Sequence, residues 1–138
     1  ISGCLGRGAM KQFVAVACGG AIGAVARYLV FITAARLLGP DFPFGTLIVN
    51  IVGSFLLGVL AEGMALAWTI SEQTRLFLVV GCLGAFTTFS TFSLDVAVLY
   101  HRGAIASVAL YMAASVILSV GGLFAGLHLM RHFLGPSY

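Results

Sequence analysis

The stretch from Leu76 to Leu94 constrains the fold of this chain more than any other. It is apolar enough to cross a membrane. Yet the seven positions from Thr87 to Ser93 hold five hydroxyl residues and two phenylalanines, with Phe86 just before them and Gly81 and Gly84 upstream. Hydrocarbon offers no partner to a hydroxyl, or to a backbone group that has left its helix. Such a segment must face protein or a water-filled path. The sequence therefore predicts a broken helix that lines a route for an ion.

The rest of the composition agrees with a membrane setting. Of 138 residues, 61% are hydrophobic and only 8% are charged. That leaves too few polar groups to cover the surface of a soluble domain. The expected fold class is an all-α integral membrane protein forming a single domain over residues 10–138. Residues 1–9 read as an N-terminal extension or a remnant of cloning, because Met10-Lys11-Gln12 looks like a natural start. The net charge of +3 is spread thinly, with no basic run, so no nucleic-acid partner is expected. Cys4, Cys18 and Cys82 lack metal-ligand spacing and read as small, unreactive thiols. No Ser/His/Asp set and no paired carboxylates occur at useful spacing, and no enzyme is expected.

Four spans follow in order, at about 13–38, 44–68, 75–100 and 104–133. In the first, Gly19 and Gly23 have the spacing that lets another helix approach closely. Arg27 lies well inside the run, where a charge is costly. It either snorkels to the interface or acts as an anchor or anion-drawing charge at an aqueous vestibule. Gly39-Pro40-Asp41-Phe42-Pro43 marks a loop. In the second span Thr46, Asn50, Ser54 and Gly58 recur every four residues and share a face. Asn50 there offers either an interhelical hydrogen bond or two amide donors to an anion. Glu62 lies near the far end of this span.

In the third span, a break near Gly84 to Thr87 would free carbonyl oxygens from the ladder. Freed carbonyls at membrane depth suit a cation, and half-helix N-termini suit an anion. The alternative is an intact helix whose hydroxyls bond back to carbonyls four residues earlier. Phe86, Phe89 and Phe92 are three apart, and ring edges carry partial positive charge. Asp95, His101 and Arg102 are expected at the membrane interface. The fourth span carries Ser107, Tyr111, Ser115 and Ser119 at intervals of four, which reads as a polar path or as a helix interface. His128, Arg131 and His132 are expected at its interfacial end. Four spans put both termini on one side. Arg7, Lys11, Arg75 and Arg131 fall on that side, against Arg36 and Arg102 on the other. This bias is too small for the positive-inside rule to fix one orientation, which permits an antiparallel dimer.

Three blocks together resemble the Fluc (CrcB) family of fluoride channels. They are Gly19-Gly20-Ala21-Ile22-Gly23-Ala24-Val25-Ala26-Arg27-Tyr28, Gly45-Thr46-Leu47-Ile48-Val49-Asn50-Ile51-Val52-Gly53, and Gly84-Ala85-Phe86-Thr87-Thr88-Phe89-Ser90-Thr91-Phe92-Ser93. The third is highly specific, and the likeness extends from Met10 to about Leu134. The resemblance implies a multi-pass protein of the cell (inner) membrane, assembled as an antiparallel, dual-topology homodimer with two fluoride pores. It also implies a structural Na⁺ held by the Gly84 and Thr87 carbonyls of both subunits. Phe89 and Phe92 would supply the ring edges of the anion site, and Asn50 would donate to fluoride near a pore mouth. Tyr111, Ser115 and Ser119 would form the polar track. No role is assigned to Phe86.

Physically, a fluoride pore must replace a tightly held water shell without trapping the ion. Neutral donors meet that need: the Asn50 amide, the hydroxyls of Thr88, Ser90 and Thr91, and phenylalanine edges. Fluoride would then leave the cytoplasm passively and its toxicity would fall. One rival is a small multidrug-resistance-type, dual-topology antiporter, which needs an embedded carboxylate, whereas span 1 has none. A second is a non-transporting assembly subunit, which leaves the hydroxyl and phenylalanine cluster unexplained.

Overall fold

The computed structural model describes residues 6–135. Cys4 and the first five residues of the expected N-terminal extension lie outside them. The described chain is all helical. Helix α1 spans Arg7–Leu38, so Arg7 to Ala9 are its first turn. Helix α2 spans Phe44–Leu66, and α6 spans Ile105–Leu134. The third crossing, Glu72–His101, is composite: a short α3 (Glu72–Arg75), a π-helical segment (Leu76–Leu83), a single turn α4 (Gly84–Phe86) and α5 (Phe89–His101). Each of the four crossings is long and apolar enough to span a bilayer. Even α2, with 23 residues, is about 35 Å long against a hydrocarbon core of about 30 Å. This is a multi-pass membrane protein.

The turns follow local chemistry. Helix α1 stops at Gly39, whose φ of 85° is open to glycine and costly for residues with a Cβ. Pro40 and Pro43 then prevent the helix from continuing before α2. Ser71 caps α3 by accepting from the Thr74 N–H at 3.1 Å.

Packing depends on missing side chains. A Cβ on Gly19 would collide with the Phe77 carbonyl oxygen, and one on Gly23 with that of Cys82. The Gly19–Gly23 spacing thus seats the π segment directly on α1, which is how membrane helices gain contact without a hydrophobic drive between them. Helices α2 and α6 use the same device. A Cβ on Gly58 would strike the Leu123 carbonyl, and one on Gly126 the Phe55 carbonyl. Residue numbers rise together along this seam, from Ile51 against Gly122 to Glu62 against Arg131, so the two helices run parallel.

The third span is interrupted, as its hydroxyl content predicts. Gly84–Phe86 is still helical, and the extended residues are Thr87 (φ −82°, ψ 156°) and Thr88 (φ −155°, ψ 120°). The break therefore falls at the C-terminal edge of the predicted stretch. The π segment before it was not predicted, since no sequence period separates a π turn from an α turn over eight residues. Two of the five hydroxyls do bond back four residues: Thr87 Oγ1 to the Leu83 carbonyl and Ser93 Oγ to that of Phe89, both at 3.0 Å. The other three do not, and two of these hold the break itself.

Candidate ion pathway

The break is stabilised from two directions. Within the strand-like link, Thr88 Oγ1 accepts the Thr91 N–H at 3.2 Å and caps α5, and it donates to Thr91 Oγ1 at 3.1 Å. Ser90 Oγ lies 3.3 Å from Thr88 Oγ1. Across the bundle, Asn50 on α2 clamps the same residue. Its Nδ2 donates to the Thr88 carbonyl at 3.0 Å, and its Oδ1 accepts the Thr88 N–H at 2.8 Å. Asn50 thus does what a neighbouring peptide would do in a regular helix. One Nδ2 hydrogen has no protein acceptor among the described residues.

These bonds decide which carbonyls are free. In an unbroken helix the Thr88 N–H would serve the Gly84 carbonyl, and the Thr91 N–H would serve that of Thr87. Both donors have gone elsewhere, to Asn50 and to Thr88 Oγ1. Gly84 and Thr87 therefore each present an oxygen released from the ladder. Gly84 is exposed. The Thr87 carbonyl receives a long 3.4 Å contact from Nη1 of half-buried Arg27. Arg27 therefore reaches inward to the break, and it makes no ion pair among the described residues.

A cleft of about 430 Å³ opens beside this link. Asn50 and Ser54 line it from α2, Gly84, Thr87 and Thr88 from the break, Phe89 and Phe92 from α5, and Ser115 and Ser119 from α6. The Oγ atoms of Ser115 and Ser119 are buried and make no hydrogen bond of good geometry, although that of Ser115 lies close to the Tyr111 hydroxyl. An unsatisfied buried hydroxyl is uncommon and costly. Two of them, one turn apart on the wall of a cleft, mark a surface that expects a polar occupant.

The two rings differ sharply. Phe92 is buried and packs tilted against Tyr111, with ring centroids 5.2 Å apart, whereas Phe89 is 78% exposed, 5.3 Å from Phe92. Thr88 is buried, Thr91 half-buried and Ser90 exposed. Tyr111 is wholly buried; its hydroxyl donates to Asp95 Oδ2 at 2.9 Å, so it closes one end of the stripe rather than lining the cleft. Ser107 does not line the cleft either.

Of the expected site residues, Asn50, Gly84, Thr87, Thr88, Phe89, Phe92, Ser115 and Ser119 meet at the cleft, whereas Ser90, Thr91, Tyr111 and Arg27 do not line it. Two pairings were not legible in the sequence: Asp95 with Tyr111, and Glu62 with Arg131. The sequence alone places Asp95 and Arg131 at the interface, Glu62 near the end of its span and Tyr111 in the polar stripe of the fourth span. The signal available was that Glu62 continues the Thr46, Asn50, Ser54, Gly58 interval of four, and Arg131 continues that of Tyr111, Ser115 and Ser119.

Comparison with known proteins gives a consistent result. A family model described as "CrcB-like protein, Camphor Resistance (CrcB)" matches residues 14–127. A protein of Rhodospirillum centenum named "Fluoride-specific ion channel FluC" is 57% identical over 122 residues, covering 88% of this chain and 97% of its own. Proteins of the same name from Nitrobacter winogradskyi and Agrobacterium fabrum are each 54% identical. They cover 86% and 89% of this chain, and 94% and 98% of their own. These relatives are named as ion channels and not as enzymes.

Proposed function

The chain belongs to the CrcB-like family, and from that premise we propose that it is a fluoride-selective channel through which fluoride leaves the cytoplasm passively. The observation that carries this reading is the cleft at the break, lined by uncharged donors and two phenylalanines, with the Ser115 and Ser119 hydroxyls making no hydrogen bond of good geometry. A dehydrated small anion can take the spare Asn50 N–H, and the two serine hydroxyls once their side chains turn into the cleft, in place of water. Each such donor is weaker than an ammonium or a guanidinium, so the ion can also leave. The edges of Phe89 and Phe92 add a weak positive rim. The N-terminus of α5, which starts at Phe89 in the cleft, contributes the positive end of a helix dipole. Arg27 raises the local anion concentration, and its charge is shared with the Thr87 carbonyl.

The working unit on this reading is an antiparallel, dual-topology homodimer in the cell inner membrane, with two pores. The polar cleft is open on the side of Phe89 and the exposed Gly84, and lipid cannot satisfy it, which supports a second copy that completes the wall. The two released carbonyls, Gly84 and Thr87, fit a hard cation that accepts oxygen ligands. A structural Na⁺ shared with the partner copy's two carbonyls would offset four carbonyl dipoles that no backbone N–H serves.

The test is reconstitution in liposomes with a fluoride electrode. Fast fluoride release with little chloride release is expected. Comparable chloride flux, or no fluoride flux from folded protein, refutes the proposal.

A further inference from the structure

Glu62 is a carboxylate in a membrane span, only 7% exposed. Its one ion-pair partner among the described residues is Arg131, whose Nε donates to Oε1 at 2.8 Å. The arginine side chain is 65% exposed, so its guanidinium sits over the carboxylate at the end of the helix. The pair stands where two polar stripes end. On α2 the interval of four runs Thr46, Asn50, Ser54, Gly58, Glu62; on α6 it runs Tyr111, Ser115, Ser119, Leu123, Leu127, Arg131. Between the cleft and the pair, Gly58 presses on Leu123 and Leu127. Glu62 therefore lies at the far end of the seam that carries Asn50, Ser54, Ser115 and Ser119.

A fixed negative charge in that position works against an anion pathway. Eight residues separate Ser54 from Glu62, about 12 Å along the helix. At an effective dielectric of about 20, one uncompensated charge at that range lowers anion occupancy about tenfold. Other charged and titratable groups lie at the same end of the bundle. They are Arg7 and Lys11 on α1, Glu72 and Arg75 on α3, and His128 and His132 on α6. Glu72 and Arg75 pair with each other at 2.7 Å, and none of the six forms an ion pair with Glu62.

We propose that Arg131 is a positioning residue for conduction. It holds Glu62 and cancels its charge, and so keeps the α2–α6 seam electrically neutral toward the permeating anion. This rests on the channel reading above and adds a residue outside the cleft to it.

The experiment compares fluoride efflux from liposomes for four proteins, with thermal unfolding in detergent recorded for each. Arg131→Gln should pass fluoride about tenfold more slowly than the unaltered protein. Arg131→Lys, which keeps the charge, should restore most of the rate. The double variant Glu62→Gln with Arg131→Gln should lie within about twofold of the unaltered protein, because no charge is left to repel the anion. If the pair were only a structural clamp, the double variant would be as impaired as Arg131→Gln, and that result overturns the proposal. Unchanged efflux in Arg131→Gln also overturns it. Should Arg131→Gln not fold, Glu62→Gln alone decides: flux equal to or above the unaltered protein supports neutralisation, and a loss of threefold or more refutes it. Absence of fluoride flux in the unaltered protein would instead refute the channel reading, so the two failures are distinguishable.

Discussion

Replacing Asn50 by alanine is the perturbation that reaches furthest into this structure. It removes two hydrogen bonds at once, the 3.0 Å donation to the Thr88 carbonyl and the 2.8 Å acceptance from the Thr88 N–H. Interhelical hydrogen bonds in membrane proteins average about 0.6 kcal/mol, which gives about 1.2 kcal/mol for the pair. Thr88 is buried, so its N–H loses a partner that little water can replace; such a group costs about 1–3 kcal/mol. A loss of about 1–3 kcal/mol is expected, or roughly a 5- to 150-fold shift in the folded population. Asn50→Asp separates the two bonds. It keeps the acceptor for the Thr88 N–H, loses the donor to the carbonyl, and sets a negative charge in the anion cleft. Denaturant unfolding in detergent and fluoride efflux should be measured on both. Alanine should lower stability and flux together, and aspartate should lower flux far more than stability. An alanine variant with unaltered stability and flux would show that the break needs no clamp.

Phe89→Ile and Phe92→Ile should each cut fluoride flux strongly; the exposed Phe89 should do so with almost no change in thermal unfolding, and normal flux in both would remove the ring-edge role. Gly23→Val forces a side chain into the Cys82 carbonyl and should destabilise by about 1–3 kcal/mol in detergent unfolding, whereas an unaltered midpoint would contradict the close approach of α1. Tyr111→Phe leaves Asp95 without its 2.9 Å donor and should cost about 0.5–1.5 kcal/mol by the same measurement. Exchange of Na⁺ for a larger cation should weaken a crosslinked or size-resolved dimer, while a dimer indifferent to the cation would argue against the Gly84 and Thr87 carbonyls as its ligands.

Much of this architecture can be read along one dimension. Four apolar runs, Gly39 with its two prolines, and five hydroxyls inside one span depend on near neighbours, and these determine the crossings, the turns and the existence of a break. The faces are legible too, because an interval of four places Asn50 with Ser54, and Ser115 with Ser119, whatever packs against them. Tertiary structure alone decided what those faces meet. Asn50 holds Thr88, Arg27 reaches the Thr87 carbonyl, Tyr111 binds Asp95 and Arg131 covers Glu62, at separations of 38, 60, 16 and 69 residues. Such pairings depend on the rotation and register of whole helices. These are set by where glycines allow backbones to touch, and no local periodicity carries that information.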